Sequence, residues 1–334
     1  MHTSTTSSEP IETSIVRLIA GSKPAWHLHT LALTFAEQAA VRAAARIILK
    51  QEGFPTDPTL QVVRAAKLSQ RIESLVPRLP QLLIRLRYEE EVEAVVAQGL
   101  PAEKELVSVI ALALSCMFGL PFNYQEQLGG ALAMPLKPKG GSAANTNTTR
   151  DEFQWHSDDA IMGPELRVTW ITLYGVHNPP HTLTGYASIR AALNDMPADE
   201  AAPLWSPRYR VRVPLSFNRG DDLWSEPRPI LTLDENTMIS VAWPTYATRL
   251  VDPDDREASH ALNTLIKCVA RQGIYRPIAP GVFFAFNNSR GLHMRTPIGP
   301  GRRLVIRTYV RPNLDALRSK SGQPGFVFPL NTLL

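Results

Sequence analysis

Cysteine is scarce in this chain: Cys116 and Cys268 are the only two in 334 residues. They are too few and too far apart for a disulfide framework or a zinc spacing, and read as reduced core thiols of a cytoplasmic protein. Long apolar runs are also missing. The best, residues 106–120, falls short of the ~18 residues of a membrane span. It is interrupted by Ser108 and Ser115 and ends in Gly-Leu-Pro, so it reads as a buried helix. No basic run accompanies the net charge of +4, and scattered Lys and Arg do not make a nucleic-acid patch. Residues 1–14 are rich in Ser and Thr and lack the basic-then-apolar order of a signal peptide, so residues 1–20 are expected to be a disordered tail. Neither a membrane nor a nucleic acid is expected as a partner.

What remains is ample for a core. The composition, 44% apolar and 20% charged, is that of a globular protein, and residues 21–334 read as one domain. Residues 21–120 carry helical patterns. The first includes Leu31, Leu33, Phe35, Ala39, Val41 and Ala45 and closes at Gly53-Phe54-Pro55. A second is expected over 58–75 and a third over 102–117. After Pro121 the pattern changes to short β-branched and aromatic runs at 131–136, 167–174, 209–213, 230–233, 238–243, 282–286 and 303–310. Two helices interrupt them, 187–194 and 255–272. The 28 prolines cluster between the runs, as short strands joined by loops require. The expected fold is α+β: a mostly antiparallel, cupin-like jelly roll (double-stranded β-helix) over 121–334, with the helical section packed outside. A Gly/Ser/Asn/Thr-rich stretch, 137–150, is a candidate lid.

The chemistry centres on Trp155-His156-Ser157-Asp158-Asp159. On a strand, His156 and Asp158 aim an imidazole and a carboxylate at one point, while Phe153 and Trp155 face away. With His293, in Gly291-Leu292-His293-Met294-Arg295, they would complete two histidines and one carboxylate, the facial triad of non-haem Fe(II). A buried His-Asp hydrogen bond holding a turn would explain the dipeptide equally well. Arg303 and Arg307 lie four apart on a strand and share a face with Val305. Pointing inward, each would need an anion, and a guanidinium fork matches a carboxylate. Alternation also allows both to point outward, with Leu304 and Ile306 inside. Asp159, Asp252 and Asp254 are candidate acidic contacts to a cationic substrate, although Asp252-Pro253-Asp254-Asp255 reads equally as a turn and helix cap.

The segment Trp155-His156-Ser157-Asp158-Asp159-Ala160 resembles the metal motif of the clavaminate synthase-like branch of Fe(II)/2-oxoglutarate oxygenases, which is related to taurine dioxygenase. Thr184 with the helix from Ala187, the Asn287–Arg295 segment and Arg302–Arg307 extend the resemblance over roughly residues 125–312. The separation of His156 from His293, 137 residues (293 − 156), suits this branch. The resemblance implies that His156, Asp158 and His293 ligate Fe(II). It implies that Arg303, with Thr184, binds the distal carboxylate of the co-substrate 2-oxoglutarate. Arg307 would bind a substrate carboxylate and Gln127 its α-amine. Many amino-acid hydroxylases of the branch carry Glu where Asp158 stands; a Gly or Ala there would have suggested a halogenase. The implied activity uses O2 to hydroxylate an unactivated C–H bond, releasing succinate and CO2, on a free L-amino acid or derivative in specialised, antibiotic-type metabolism. A taurine-dioxygenase-like enzyme acting on a sulfonate and a non-catalytic jelly-roll binding protein are the alternatives. A homo-oligomer is compatible with all three.

Overall fold

Apolar residues occupy both faces of the longest strands, and this fixes the layering. The computed structural model describes residues 26, 28–138, 149–213, 223–234 and 236–334; the expected tail and most of the candidate lid lie outside them. The chain opens with β1 (Leu28–Ala32), then helices α1 (Phe35–Glu52), α2 (Pro58–Leu75) and α3 (Arg78–Tyr88), β2 (Ala94–Gln98) and α4 (Lys104–Cys116). β3 (Leu120–Tyr124), β4 (Met134–Leu136), β5 (Phe153–His156), β6 (Trp170–His177) and β7 (Leu183–Ser188) follow. After α5 (Ile189–Asn194) and α6 (Ala198–Ala201) come β8 (Tyr209–Val211), β9 (Leu231–Leu233), β10 (Ile239–Val241) and β11 (Thr248–Leu250). The chain then runs through α7 (Arg256–Gln272), β12 (Ile274–Pro277), β13 (Phe283–Asn287), β14 (Gly291–Arg295) and β15 (Leu304–Arg311) to α8 (Asp315–Ser321) and β16 (Val327–Phe328).

Two sheets face one another as a jelly roll. The larger has the order β1-β2-β13-β6-β15-β3-β16, with β4 also paired to β15; the smaller is β12-β7-β14-β5 and antiparallel throughout. Ile171, Leu173, Phe284, Phe286, Val305 and Tyr309 pack between them. The alternate residues of the same strands, Trp170, Tyr174, Phe283, Leu304, Ile306 and Val310, pack under the helical section, against Val41, Ile48, Leu83 and Ile110. On the far side, α7 lays Ala261, Leu265 and Val269 on Trp155, Leu292 and Met294 of the smaller sheet. Period-2 alternation with both faces covered is what a sheet sandwiched between helices and a second sheet requires.

The helical section departs from the sequence pattern at its start. Leu31 belongs to β1, in parallel register with Ala97 of β2, and α1 begins only at Phe35. Thr34 sets that boundary: it caps the Glu37 N–H while the Glu37 carboxylate takes the Thr34 N–H, a reciprocal capping box. α2 occupies 58–75 as expected, with Asp57 as its cap, whereas α3 and β2 were not anticipated.

Candidate metal centre

Strand pairing brings the two histidines together. β14 pairs with β5 so that His293 stands opposite His156, and two residues later Arg295 stands opposite Phe153. Two residues on β14 thus oppose three on β5, a bulge that re-aims one side chain. Its effect is visible at Phe153. Simple alternation sends Phe153 away from the metal with Trp155, and only Trp155 goes there. The Phe153 ring instead lies 3.9 Å from the His156 ring and lines the cavity. Phe286 covers His293 in the same way, at 5.0 Å.

Asp158 follows the end of β5 and is clamped through its backbone. Its N–H donates to Asn288 Oδ1 at 2.8 Å, and Asn288 Nδ2 donates back to its carbonyl at 3.1 Å. Asn288 Nδ2 also reaches the Val168 carbonyl, so one buried side chain ties three segments together. Ser157 adds a reciprocal pair with Trp243: each backbone N–H is taken by the other residue, at 3.2 and 3.0 Å.

The donor atoms of His156, Asp158 and His293 all lie within 4.8 Å of one another. Asp158 Oδ1 is 3.4 Å from His156 Nε2 and 3.9 Å from His293 Nε2. His156 Nδ1 sits 2.6 Å from the Gln154 carbonyl; a carbonyl only accepts, so Nδ1 carries the proton and Nε2 presents its lone pair. That buried Nε2 has no hydrogen-bond partner among the described residues. Burial pushes the His293 imidazole well below its usual range, which keeps it neutral, as a ligand must be. For Asp158, burial alone would raise the carboxyl. The Arg307 guanidinium outweighs it and holds the group ionised, well below the usual carboxylate range. Two neutral imidazoles and a carboxylate around one point suit a divalent iron.

Arg303 and Arg307 both turn inward, with Val305 between them, and Leu304 and Ile306 go under the helices. Arg303, Thr184, Leu136, Phe153, His156 and His293 line one cavity. The Nε and Nη1 of Arg303 are buried without a hydrogen-bond partner among the described residues. Burial and the nearby Arg295 push this guanidinium down to about 9. A buried cation short of acceptors calls for an anion, so the residues present fit a dicarboxylate whose far end meets Arg303. Arg307 is engaged on the metal side: Nη1 donates to Asp158 Oδ2 at 3.0 Å and Nη2 to Gln127 Oε1 at 3.1 Å.

The other acidic candidates are elsewhere. Asp159, with a positive φ of 59°, accepts the Tyr124 hydroxyl and the Val168 N–H. Burial and the adjacent Asp158 push its carboxyl up to about 7. Asp252 and Asp254 are exposed in the turn before α7, where Asp252 takes the Asp254 N–H, and neither lines the cavity. Asp255 is the cap of α7, so the capping alternative describes this stretch. Two residues of the centre escaped the sequence pattern. Tyr309 donates to Asp158 Oδ2 at 2.7 Å, and its place two after Arg307 on a strand was the available signal. Asn288 had none beyond lying in the Asn-Asn-Ser turn.

Comparison with known proteins agrees with this geometry. The family model described as Taurine catabolism dioxygenase TauD, TfdA family matches residues 88–309. No curated protein sequence matches the chain. Among solved structures it is similar to asparagine oxygenase in complex with Fe(II), 2S,3S-3-hydroxyasparagine and succinate. The TM-score is 0.81 at 21% identity, over 90% of this chain and 99% of that one. It is also similar to the non-heme iron oxygenase OrfP in complex with Fe, succinate and (3R,4R)-dihydroxy-L-Arg, with TM-score 0.77, 19% identity and the same coverage. The complex of OrfP with Fe and alpha-ketoglutaric acid gives 0.78, at 19% identity, again over 90% and 99%.

Proposed function

The chain belongs to the TauD, TfdA family and is an Fe(II)- and 2-oxoglutarate-dependent dioxygenase, and on that premise we propose that it hydroxylates an unactivated C–H bond of a free L-amino acid or close derivative. The observation that carries the substrate class is the Arg307–Gln127 pair, 3.1 Å apart and joined to the metal-ligand carboxylate. A buried guanidinium recognises a carboxylate, and the amide beside it offers an acceptor to an ammonium group. A sulfonate without an amine would use Arg307 and leave Gln127 without a role. Asparagine oxygenase and OrfP, which share this fold, are solved with hydroxylated amino acids, in keeping with this reading.

In this reading His156, Asp158 and His293 hold the iron. Arg303, with Thr184, takes the distal carboxylate of 2-oxoglutarate. Bound there, Fe(II), 2-oxoglutarate and O2 together supply the oxidising power that replaces C–H by C–OH, with release of succinate and CO2. The protein does the positioning. The His156 tautomer is set by the Gln154 carbonyl and Asp158 by Asn288. Phe153 and Phe286 wall the histidines from water. Arg307 and Gln127 fix the backbone end of the amino acid, which determines the side-chain carbon that lies over the metal. A place in specialised metabolism is part of this proposal and rests on the resemblance of the motifs.

The test is succinate formation from 2-oxoglutarate under air with Fe(II), against a panel of free amino acids including asparagine, arginine, lysine and ornithine, with mass spectrometry of the same samples. One amino acid should both stimulate succinate release and gain one oxygen. Succinate release stimulated by a sulfonate, and by no amino acid, would contradict the proposal.

A further inference from the structure

The carboxylate of Asp158 uses its two oxygens differently. Oδ1 faces His156 and His293, on the metal side. Oδ2 accepts from Arg307 Nη1 at 3.0 Å and from the Tyr309 hydroxyl at 2.7 Å. Both donors come from β15, where residues 307 and 309 share the inward face. The Tyr309 ring also lies under the Arg307 guanidinium, 4.5 Å away, and packs between Phe122 and Tyr124. It is 1% exposed.

A three-ligand iron site works only if its carboxylate occupies one position. A carboxylate free to turn can chelate through both oxygens and close a position that 2-oxoglutarate or O2 needs. On the reading above Arg307 divides its N–H donors among Oδ2, Gln127 and the substrate carboxylate, so its hold on Oδ2 is shared. Tyr309 donates its one hydroxyl proton to Oδ2, and its ring is fixed by neighbouring aromatics.

We propose that Tyr309 is the positioning residue that keeps Asp158 single-pronged on the iron, and that it frees Arg307 to engage the substrate. Tyr309 restrains Oδ2, and Oδ1 alone faces the metal. This inference rests on the oxygenase reading and adds to it a residue that the sequence motifs did not contain. Tyr309 acts through Asp158 and touches no reacting atom.

The test replaces Tyr309 by Phe, which keeps the ring and its packing and removes one hydroxyl. Fe(II) binding to the metal-free chain is measured anaerobically with 2-oxoglutarate present. The Co(II)-substituted protein is examined by visible absorption, whose intensity reports coordination number, and thermal melting of the metal-free chain checks the fold. Tyr309→Phe should bind Fe(II) ~10-fold more weakly or worse, with an altered Co(II) spectrum and an unchanged melting curve. With substrate, it should release more succinate than hydroxylated product. An Fe(II) dissociation constant within about twofold of wild type, together with an unchanged Co(II) spectrum, overturns the role of Tyr309 and leaves the iron site standing. A wild-type chain that takes up no stoichiometric Fe(II) overturns the oxygenase reading itself, and this inference with it.

Discussion

Arg303 carries a charge that the described residues leave short of acceptors, and that makes it the most exacting residue of the centre. A buried unpaired guanidinium is a cost in the ligand-free protein and a gain once an anion arrives. Arg303→Leu should therefore weaken 2-oxoglutarate binding by ~100-fold or more, while the metal-free chain melts no lower than wild type. Isothermal titration and a melting curve check the two halves separately. Glu93 is a buried charge of a different kind. It accepts from Ser188 Oγ at 2.9 Å and Tyr186 Oη at 3.1 Å, and burial pushes its carboxyl up to about 7 from 4.5. The folded chain thus keeps a proton that the unfolded chain gives up first. Stability should fall as pH rises from about 4.5 to 7 and level off above, by about 3 kcal/mol across the window. Glu93→Gln removes this share of the slope; melting of the metal-free variant and wild type at pH 5 and pH 8 measures it. Inward-facing Arg303 and Arg307 were legible as an alternative only, because both faces of β15 are buried and alternation alone cannot choose between two buried faces.

At the scale of elements, the centre depends on how β5, the turn after β13 and β14 are joined. Asn288→Ala would strip partners from the Asp158 N–H, the Asp158 carbonyl and the Val168 carbonyl. Buried backbone groups left unmade cost about 1–3 kcal/mol each, so a loss of about 3 kcal/mol or more is expected, with ~10-fold weaker Fe(II) binding. Denaturant unfolding and metal titration report these. Gly291 is a second such point: a Cβ there would meet the Tyr186 ring at 2.4 Å and the Ala187 carbonyl at 2.6 Å, so Gly291→Ala should push β14 off β7 and displace His293. A loss of about 1–3 kcal/mol together with weaker metal binding is expected. The strand carrying His156 was legible only as a condition of the His-x-Asp spacing, and Gly-Leu-His-Met-Arg around His293 holds no β-branched residue to mark it. The bulge that turns Phe153 toward the metal was not legible, since it arises from pairing between residues far apart in sequence. The same holds for β1, where pairing with β2 overrides a helical pattern through Leu31 and Leu33.

For the whole molecule, the jelly roll and its outer helices followed from the change in pattern at Pro121, and the motif resemblance supplied the chemistry. Tertiary placement supplied the rest. Two sheets closing face to face bring β15 over β5 and β14, so residues from three distant segments share one carboxylate. Among the described residues no helix is long and apolar enough to cross a membrane. The most direct test of the account is anaerobic equilibrium binding of Fe(II) and 2-oxoglutarate to the metal-free chain, with Asp158→Ala alongside. One Fe(II) per chain is expected, with 2-oxoglutarate binding that depends on the metal, and both should be lost in the variant. Fe(II) uptake that is substoichiometric, or that survives Asp158→Ala unchanged, would contradict the assignment of His156, Asp158 and His293 as the iron site.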